Sequence, residues 1–273
     1  MKTFLAAAET GSFAGAAQSV NASPSSVTER IKQLEHRLGV TLFDRDRRGC
    51  RLTSAGTKFR DAARQTVRAW ELGLHNVSLP DEFTRSLSFG GQYALWRAYL
   101  LPWLADARRH FSDIAFNVTA GASPRLNRDL AEGKLDIAVM YNPVFRRDVV
   151  SELLFNDPLI LVGPKEDSNW RGRYVHIDWG PTLSPEIAIN HKLRPMTGLN
   201  IDLGVLSKEW LIHNEMYGFM PSSLVRKDIA NGNLYQITEI AEIENAAYVC
   251  WRRELDSILA SDIITHLKTQ IRS

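Results

Sequence analysis

The first forty residues start and stop a helix three times, and that punctuation limits the fold more than any other feature of the chain. From Thr3 to Thr10 the apolar residues Phe4, Leu5, Ala7 and Ala8 fall at helical spacing, and Gly11 ends the run. Ser12 offers a hydroxyl cap to a second helix from Phe13 to about Val20, in which Ala14, Ala16 and Ala17 permit a close neighbour and Asn21 suits a left-handed stop. Ser23 is followed directly by Pro24, the residue favoured in the first helical turn because its missing N–H is not needed there. A third helix from Pro24 therefore runs to Leu38 and stops at Gly39. Val27, Ile31, Leu34 and Leu38 are spaced as one buried stripe along it.

The opposite face of this third helix carries Ser25, Thr28, Glu29, Lys32, Gln33 and His36. Taken alone, such a face is simply solvated. Two short helices, a tight turn and a capped third helix together predict a helix-turn-helix, whose second helix enters a DNA groove. Short hydroxyls at its N-terminal end allow close approach to base edges, and longer side chains reach phosphates. Ser23, Ser25, Ser26, Thr28, Glu29, Arg30 and Lys32 are the candidate DNA contacts on this helix. Val40–Arg45 and Cys50–Thr53 then form two β-prone pieces around a Gly-containing turn, a wing with Arg45, Arg47, Arg48 and Arg51. Arg45, Arg48 and Arg51 are its candidate phosphate or minor-groove contacts, with a solvated hairpin as the plainer alternative.

Charge follows the same division. Residues 1–80 hold 12 Lys and Arg against 7 Asp and Glu, whereas the rest of the chain holds 21 against 24. A basic front joined to a slightly acidic body suits a nucleic-acid-binding end attached to a domain with another task. The two cysteines, Cys50 and Cys250, provide neither a disulfide framework nor a CxxC metal pair. The N-terminal apolar stretch is too short for a signal core, and no run of about 18 apolar residues follows, so a cytoplasmic protein outside the membrane is expected.

The stretch from Phe4 to Gly56 resembles the winged helix-turn-helix of LysR-type transcriptional regulators. Phe4-Leu5, Glu9–Phe13, Ala16-Ala17, Ser23, Val27-Thr28, Ile31, Leu34-Glu35, Leu38–Val40, Leu42-Phe43, Arg45, Leu52-Thr53 and Ala55-Gly56 carry the resemblance. Two departures bear on the operator sequence: Pro24-Ser25 replaces the usual Gln-Pro, and Glu29 stands where a basic or amide residue is commoner. The chain also starts a few residues later than most members. Beyond Gly56, Phe59, Ala63, Thr66, Trp70, Gly73 or Leu74, and Val77 step by four and three as in a coiled-coil seam, which predicts a long helix to about Leu79. The resemblance implies that this is a dimerising linker helix. Pro80-Asp81-Glu82 ends it.

From residue 86 onwards strands and helices alternate, which predicts an α/β fold with a mainly parallel sheet. Strands are expected at Ser86–Gln92, Ile114–Thr119, Asp136–Met140, Leu159–Val162, Tyr174–Ile177, Leu199–Asp202, Leu234–Ile240 and Tyr248–Trp251. Helices are expected at Leu95–Phe111, Pro124–Glu132 and Ser257–Gln270. The resemblance implies a two-lobed effector domain related to periplasmic binding proteins, and Trp179-Gly180-Pro181 is similar to the HdfR-like branch of the family. The expected division is 1–56 for the winged helix-turn-helix, 57–80 for the linker and 81–273 for the effector domain. Its first lobe comprises about 86–158 and 241–273, and its second about 159–240.

Ligands in open α/β sheets sit beyond the carboxyl ends of strands. Gln92, Tyr93, Ser123, Tyr141 and Asn142, with Gly121, are therefore effector-binding candidates in the first lobe, facing Trp179, Thr182, Met220 and Pro221 from the second. Lysine and arginine are sparse around these residues, Arg125 being the nearest, which favours a small neutral or singly charged, partly aromatic ligand. The rival is a cleft filled by the chain's own tryptophans. No GxSxG elbow, Gly-rich phosphate loop or HExxH pair is present, so no residue is assigned a catalytic or metal-binding role and no cofactor is expected. The expected partners are an operator in double-stranded DNA, further copies of the chain as a homodimer or homotetramer, and a small effector. A ligand-independent DNA-binding regulator and a cytosolic solute-binding protein are the alternatives.

Overall fold

The fold is given by a computed structural model that describes residues 1–46, 49–166, 169–181, 183–190 and 199–272. The chain divides into two compact units, Met1–Glu82 and Phe83–Ser273.

In the first unit, α1 (Lys2–Thr10) ends at Gly11, whose φ of 64° is left-handed backbone that costs glycine little. Helix α2 (Phe13–Ser19) is capped by Ser12, which accepts from Gly15 N–H at 3.3 Å. Helix α3 (Pro24–Leu38) is capped by Ser23, which accepts from Ser26 N–H at 3.2 Å. Each cap satisfies a donor that has no partner inside the helix. Phe4, Ala7, Ala16, Val27, Ile31 and Leu42 are fully buried between these helices, and the Phe4 ring lies 5.3 Å from those of both Phe43 and Phe59. The expected stripe on α3 is only partly buried. Leu34 is half-buried and Leu38 is 41% exposed, because Leu42 and Phe43, returning after Gly39, fill the core at that end.

The wing pairs β1 (Phe43–Asp46) with β2 (Gly49–Leu52) antiparallel, Phe43 opposite Leu52 and Asp46 opposite Gly49. Its first strand begins three residues later than the expected start at Val40. The Glu35 carboxylate accepts from Leu42 N–H at 2.7 Å and Phe43 N–H at 3.2 Å, engaging those donors before the ladder starts. Helix α4 (Ser54–Val77) follows, opened by Thr53, whose hydroxyl accepts from Gly56 N–H at 3.0 Å.

The second unit contains β3 (Arg85–Gln92), α5 (Tyr93–Leu95), α6 (Leu101–His110), β4 (Ile114–Gly121), α7 (Ser123–Ala131), β5 (Ile137–Met140) and β6 (Val149–Asn156). The chain then crosses into β7 (Leu159–Gly163), β8 (His176–Ile177), α8 (Leu183–Asn190), β9 (Asn200–Ile201), α9 (Ser207–Asn214), β10 (Gly218–Pro221), α10 (Ser222–Ala230) and β11 (Tyr235–Gln236). It returns through β12 (Ala246–Arg252) and α11 (Ser257–Arg272).

The expectation of a mainly parallel sheet is corrected. The five-stranded sheet has the order β4-β3-β5-β12-β6, parallel only among β4, β3 and β5, with β12 antiparallel to both its neighbours. The second sheet, β10-β7-β11, is antiparallel throughout. Strand β12 arrives from the second lobe without a βαβ crossover, so nothing imposes parallel pairing on it. The single helix expected over Leu95–Phe111 is likewise broken by a π turn at Trp96–Leu100, where Leu101 N–H reaches back to Trp96 O. Pro102 has no N–H for the ordinary bond to Ala98, and the register slips there. Among the described residues no helix is long and apolar enough to cross a membrane.

Candidate functional site

Two places gather the candidate residues, one in each unit. On α3 the side chains of Ser25, Glu29 and Lys32 are exposed and lie opposite buried Val27 and Ile31. The Ser23 hydroxyl lies 2.9 Å from those of both Ser25 and Ser26. Thr28 donates to Pro24 O at 2.9 Å, and Gln33 donates to Glu29 at 3.1 Å, leaving the second carboxylate oxygen of Glu29 for another donor. Arg30 stands off this face. It lines a cavity of about 220 Å³ on the α1 flank with Thr3, Phe4, Gln33 and Arg37.

The wing arginines differ from one another. Arg51 is exposed on β2, across from Asp44. Arg45 is drawn inward, with its guanidinium 3.5 Å from the Glu35 carboxylate and 4.5 Å above the Phe13 ring. Arg47 and Arg48, at the turn, lie outside the described residues.

The proposed seam on α4 separates into two halves. Ala63 is fully buried and Phe59 packs edge-on to Phe4, so both belong to the core of their own unit and are withdrawn from an intermolecular seam. The reason is that the first half of α4 covers α1. Thr66 is exposed and donates to Ala62 O at 2.8 Å. Beyond it Trp70, Leu74 and Val77 are 64%, 54% and 88% exposed, an apolar ridge facing solvent.

In the second unit, the Gln92 side-chain carbonyl accepts from the Ser123 hydroxyl at 2.8 Å and from Tyr141 N–H at 2.9 Å, joining the ends of β3, α7 and β5. Asn142 donates through Nδ2 to Trp179 O in the second lobe at 3.1 Å. Tyr93 is exposed at the rim. The remaining candidates change role. Met220 is fully buried, and Tyr141 and Trp179 are 4% exposed. Met220 sits on a strand buried along its whole length, and the Trp179 indole N–H donates to Phe219 O at 2.7 Å, so both are core residues. Trp103 and Trp170 are buried as well, Trp103 against Phe89 and Phe116 in the core of the first lobe. Thr182 lies outside the described residues.

Sequence reasoning missed a buried carboxylate that links the two lobes. Asp157, 1% exposed between β6 and β7, accepts from the Tyr141 hydroxyl at 2.7 Å, Ser223 N–H at 3.0 Å, the Ser223 hydroxyl at 2.5 Å and the Ser222 hydroxyl at 3.2 Å. It thereby ties the end of β5 to the first turn of α10. Burial, and secondly the Asp157 charge, raise the Tyr141 phenol well above its ordinary value, and the same two causes raise Tyr99. The only local signal was the Asp157-Pro158 step between two apolar strands. Among the described residues no three His, Cys, Asp or Glu side chains gather to hold a metal ion.

Comparison with known proteins agrees with this architecture. Residues 1–57 match the bacterial regulatory helix-turn-helix protein model of the lysR family, and residues 80–272 match the LysR substrate binding domain. The chain belongs to the LysR family of transcriptional regulators. Among curated relatives, the HTH-type transcriptional regulator HdfR of Yersinia enterocolitica is 30% identical over 193 residues and that of Yersinia pestis 31%; each match covers 66% of this chain and 66% of the relative's length. Solved structures with the same fold include ArgP from Mycobacterium tuberculosis, at a TM-score of 0.64 and 18% identity over 98% of this chain and 95% of that one. LysG from Corynebacterium glutamicum with bound effector Arg aligns at a TM-score of 0.62 and 18% identity, over 98% of this chain and 96% of that one.

Proposed function

We propose that this chain is a sequence-specific DNA-binding transcription regulator of the cytoplasm that acts as a homodimer or homotetramer and responds to a small effector between its two α/β lobes. The observation that carries the reading is α3, capped at its N-terminus by Ser23, with Ser25, Glu29 and Lys32 opposite its buried face. This helix enters the major groove; Ser25 and Thr28 sit closest to base edges, and Glu29 accepts from a cytosine amino group. Arg51 on the wing and Lys32 neutralise phosphates, while Arg30 approaches from the flank. Arg45 serves chiefly to brace the wing through Glu35.

Trp70, Leu74 and Val77 pair two copies, matching the twofold symmetry of an operator. The effector acts by binding one lobe arrangement more tightly than another, which is the thermodynamic requirement for coupling. Gln92, Ser123, Asn142 and Tyr93 supply its polar and aromatic contacts. Arg125, the cation nearest to these residues along the chain, is engaged by Asp129 at 3.3 Å, which further favours a neutral or singly charged ligand. The protein works by binding and not by catalysis. Footprinting of the DNA upstream of its own gene tests the proposal: a protected, twofold-related site whose occupancy falls steeply with salt is expected, and uniform weak protection of every sequence refutes it.

A further inference from the structure

The cleft is bridged by the chain's own groups at two adjacent residues. Tyr141 meets the Asp157–Ser223 cluster where the chain passes between the lobes, and Asn142, one residue on, meets the Trp179–Gly180 loop of the second lobe. Both sides of the second contact are stiff. Asn127 donates to Asn142 O at 3.0 Å and to Ser123 O at 2.8 Å, while its carbonyl accepts from Val144 N–H at 2.7 Å, so α7 fixes the backbone around Asn142. Across the cleft, the Asp178 carboxylate accepts from Gly180 N–H at 2.8 Å and from the Ser184 hydroxyl at 3.0 Å, and the Trp179 indole is fixed on Phe219 O.

The closeness of the contact depends on residue type. Gly180 has a φ of 118°, and a Cβ added there would lie 2.5 Å from Asn142 Nδ2. Only glycine both adopts this backbone and admits the amide. The loop of one lobe is thus shaped to receive a side chain of the other.

We propose that Asn142 is a built-in latch: its side-chain amide occupies the Trp179 carbonyl in the place of a ligand and holds the two lobes closed in the unliganded protein. The inference rests on the effector reading for its regulatory meaning and deepens it. A ligand that opens the latch displaces an N–H donor from a carbonyl beside a buried tryptophan, and an unsatisfied carbonyl there is costly. The effector therefore carries its own amide or amino N–H to replace that of Asn142. A purely apolar or acceptor-only molecule leaves the latch shut.

Hydrogen exchange on the full chain without ligand or DNA tests the latch. In the unmodified protein, the amides of Asp178, Trp179 and Gly180 exchange slowly; fast exchange there overturns the proposal whatever the variants do. In Asn142→Ala and in the isosteric Asn142→Asp, which turns an acceptor towards the Trp179 carbonyl, exchange at these three amides accelerates about tenfold, the worth of one hydrogen bond. Strands β3 and β7 keep their parental rates. Parental exchange at the three amides in both variants shows that Asn142 holds nothing. Operator binding by the unmodified chain is measured in parallel, so that a latched protein that ignores DNA refutes the regulator reading and leaves the latch standing.

Discussion

Glu35 illustrates how much one side chain of the first unit decides. Its carboxylate accepts from two backbone N–H groups and approaches Arg45, which covers Phe13. Glu35→Ala leaves those donors near the core without partners and is expected to cost about 1–3 kcal/mol. Urea unfolding of the first unit measures the loss, and an unchanged midpoint would show that water replaces the carboxylate. Arg51, exposed and on the free face of β2, has a different task. Arg51→Ala is expected to weaken operator binding and to reduce the log–log salt slope by about 0.9, one phosphate contact. Glu29→Gln is expected to change base preference and leave that slope alone, which binding to a randomised operator library reads directly.

At the scale of the element, α4 joins two functions in one helix. Its first half is core, through Phe59 and Ala63, and its second half is the exposed ridge of Trp70, Leu74 and Val77. Heptad spacing runs through both halves and cannot separate them, because period alone does not say which neighbour covers a stripe. Trp70→Glu places a charge at a position that the chain leaves 64% exposed. We expect the unfolding midpoint of the monomer to stay put and the sedimentation coefficient to fall to that of a monomer. A variant that sediments like the parent places the contact between copies elsewhere.

At the scale of the whole molecule, each unit has its own hydrophobic core. Phe4, Val27 and Ile31 belong to one cluster, and Phe89, Trp103 and Ile263 to another. Phe4→Ala is therefore expected to destabilise the first unit by about 3–5 kcal/mol and to abolish operator binding. The calorimetric transition of the second unit keeps its midpoint. The second unit also carries an alkaline limit. Burial pushes the Cys250 thiol up to about 11 from 9.0, and Tyr141 and Tyr174 are raised for the same first reason. A raised folded pKa favours the protonated form in the native state, so this stability is complete below the unfolded pKa and is lost as pH rises towards the folded one. Unfolding free energy should decline from about pH 9 upwards, and Cys250→Ala should flatten the part of that decline between 9.0 and 11.

Features held in place by near neighbours along the chain are written in the sequence. Ser12, Ser23-Pro24, Gly11 and Gly39 act within one helical turn, so three helices and their ends were legible to within a residue or two. The resemblance residues acquire physical reasons in the same way: Thr53 caps α4, and Gly56 admits the Leu42 carbonyl, which a Cβ would meet at 2.2 Å. Tertiary structure alone decided which apolar surfaces found partners. Nothing local distinguishes Leu38, exposed, from Ile31, buried, or marks Met220 as sealed in a sheet instead of lining a cleft. Asp157 gathers Tyr141 from 16 residues away and Ser223 from 66, and β12 pairs with β5 only after the chain has built a second lobe. Contacts at such separations leave no period and no spacing in a single sequence. They exist because burying a carboxylate or a strand edge requires partners, and the fold supplies them from wherever the chain happens to pass.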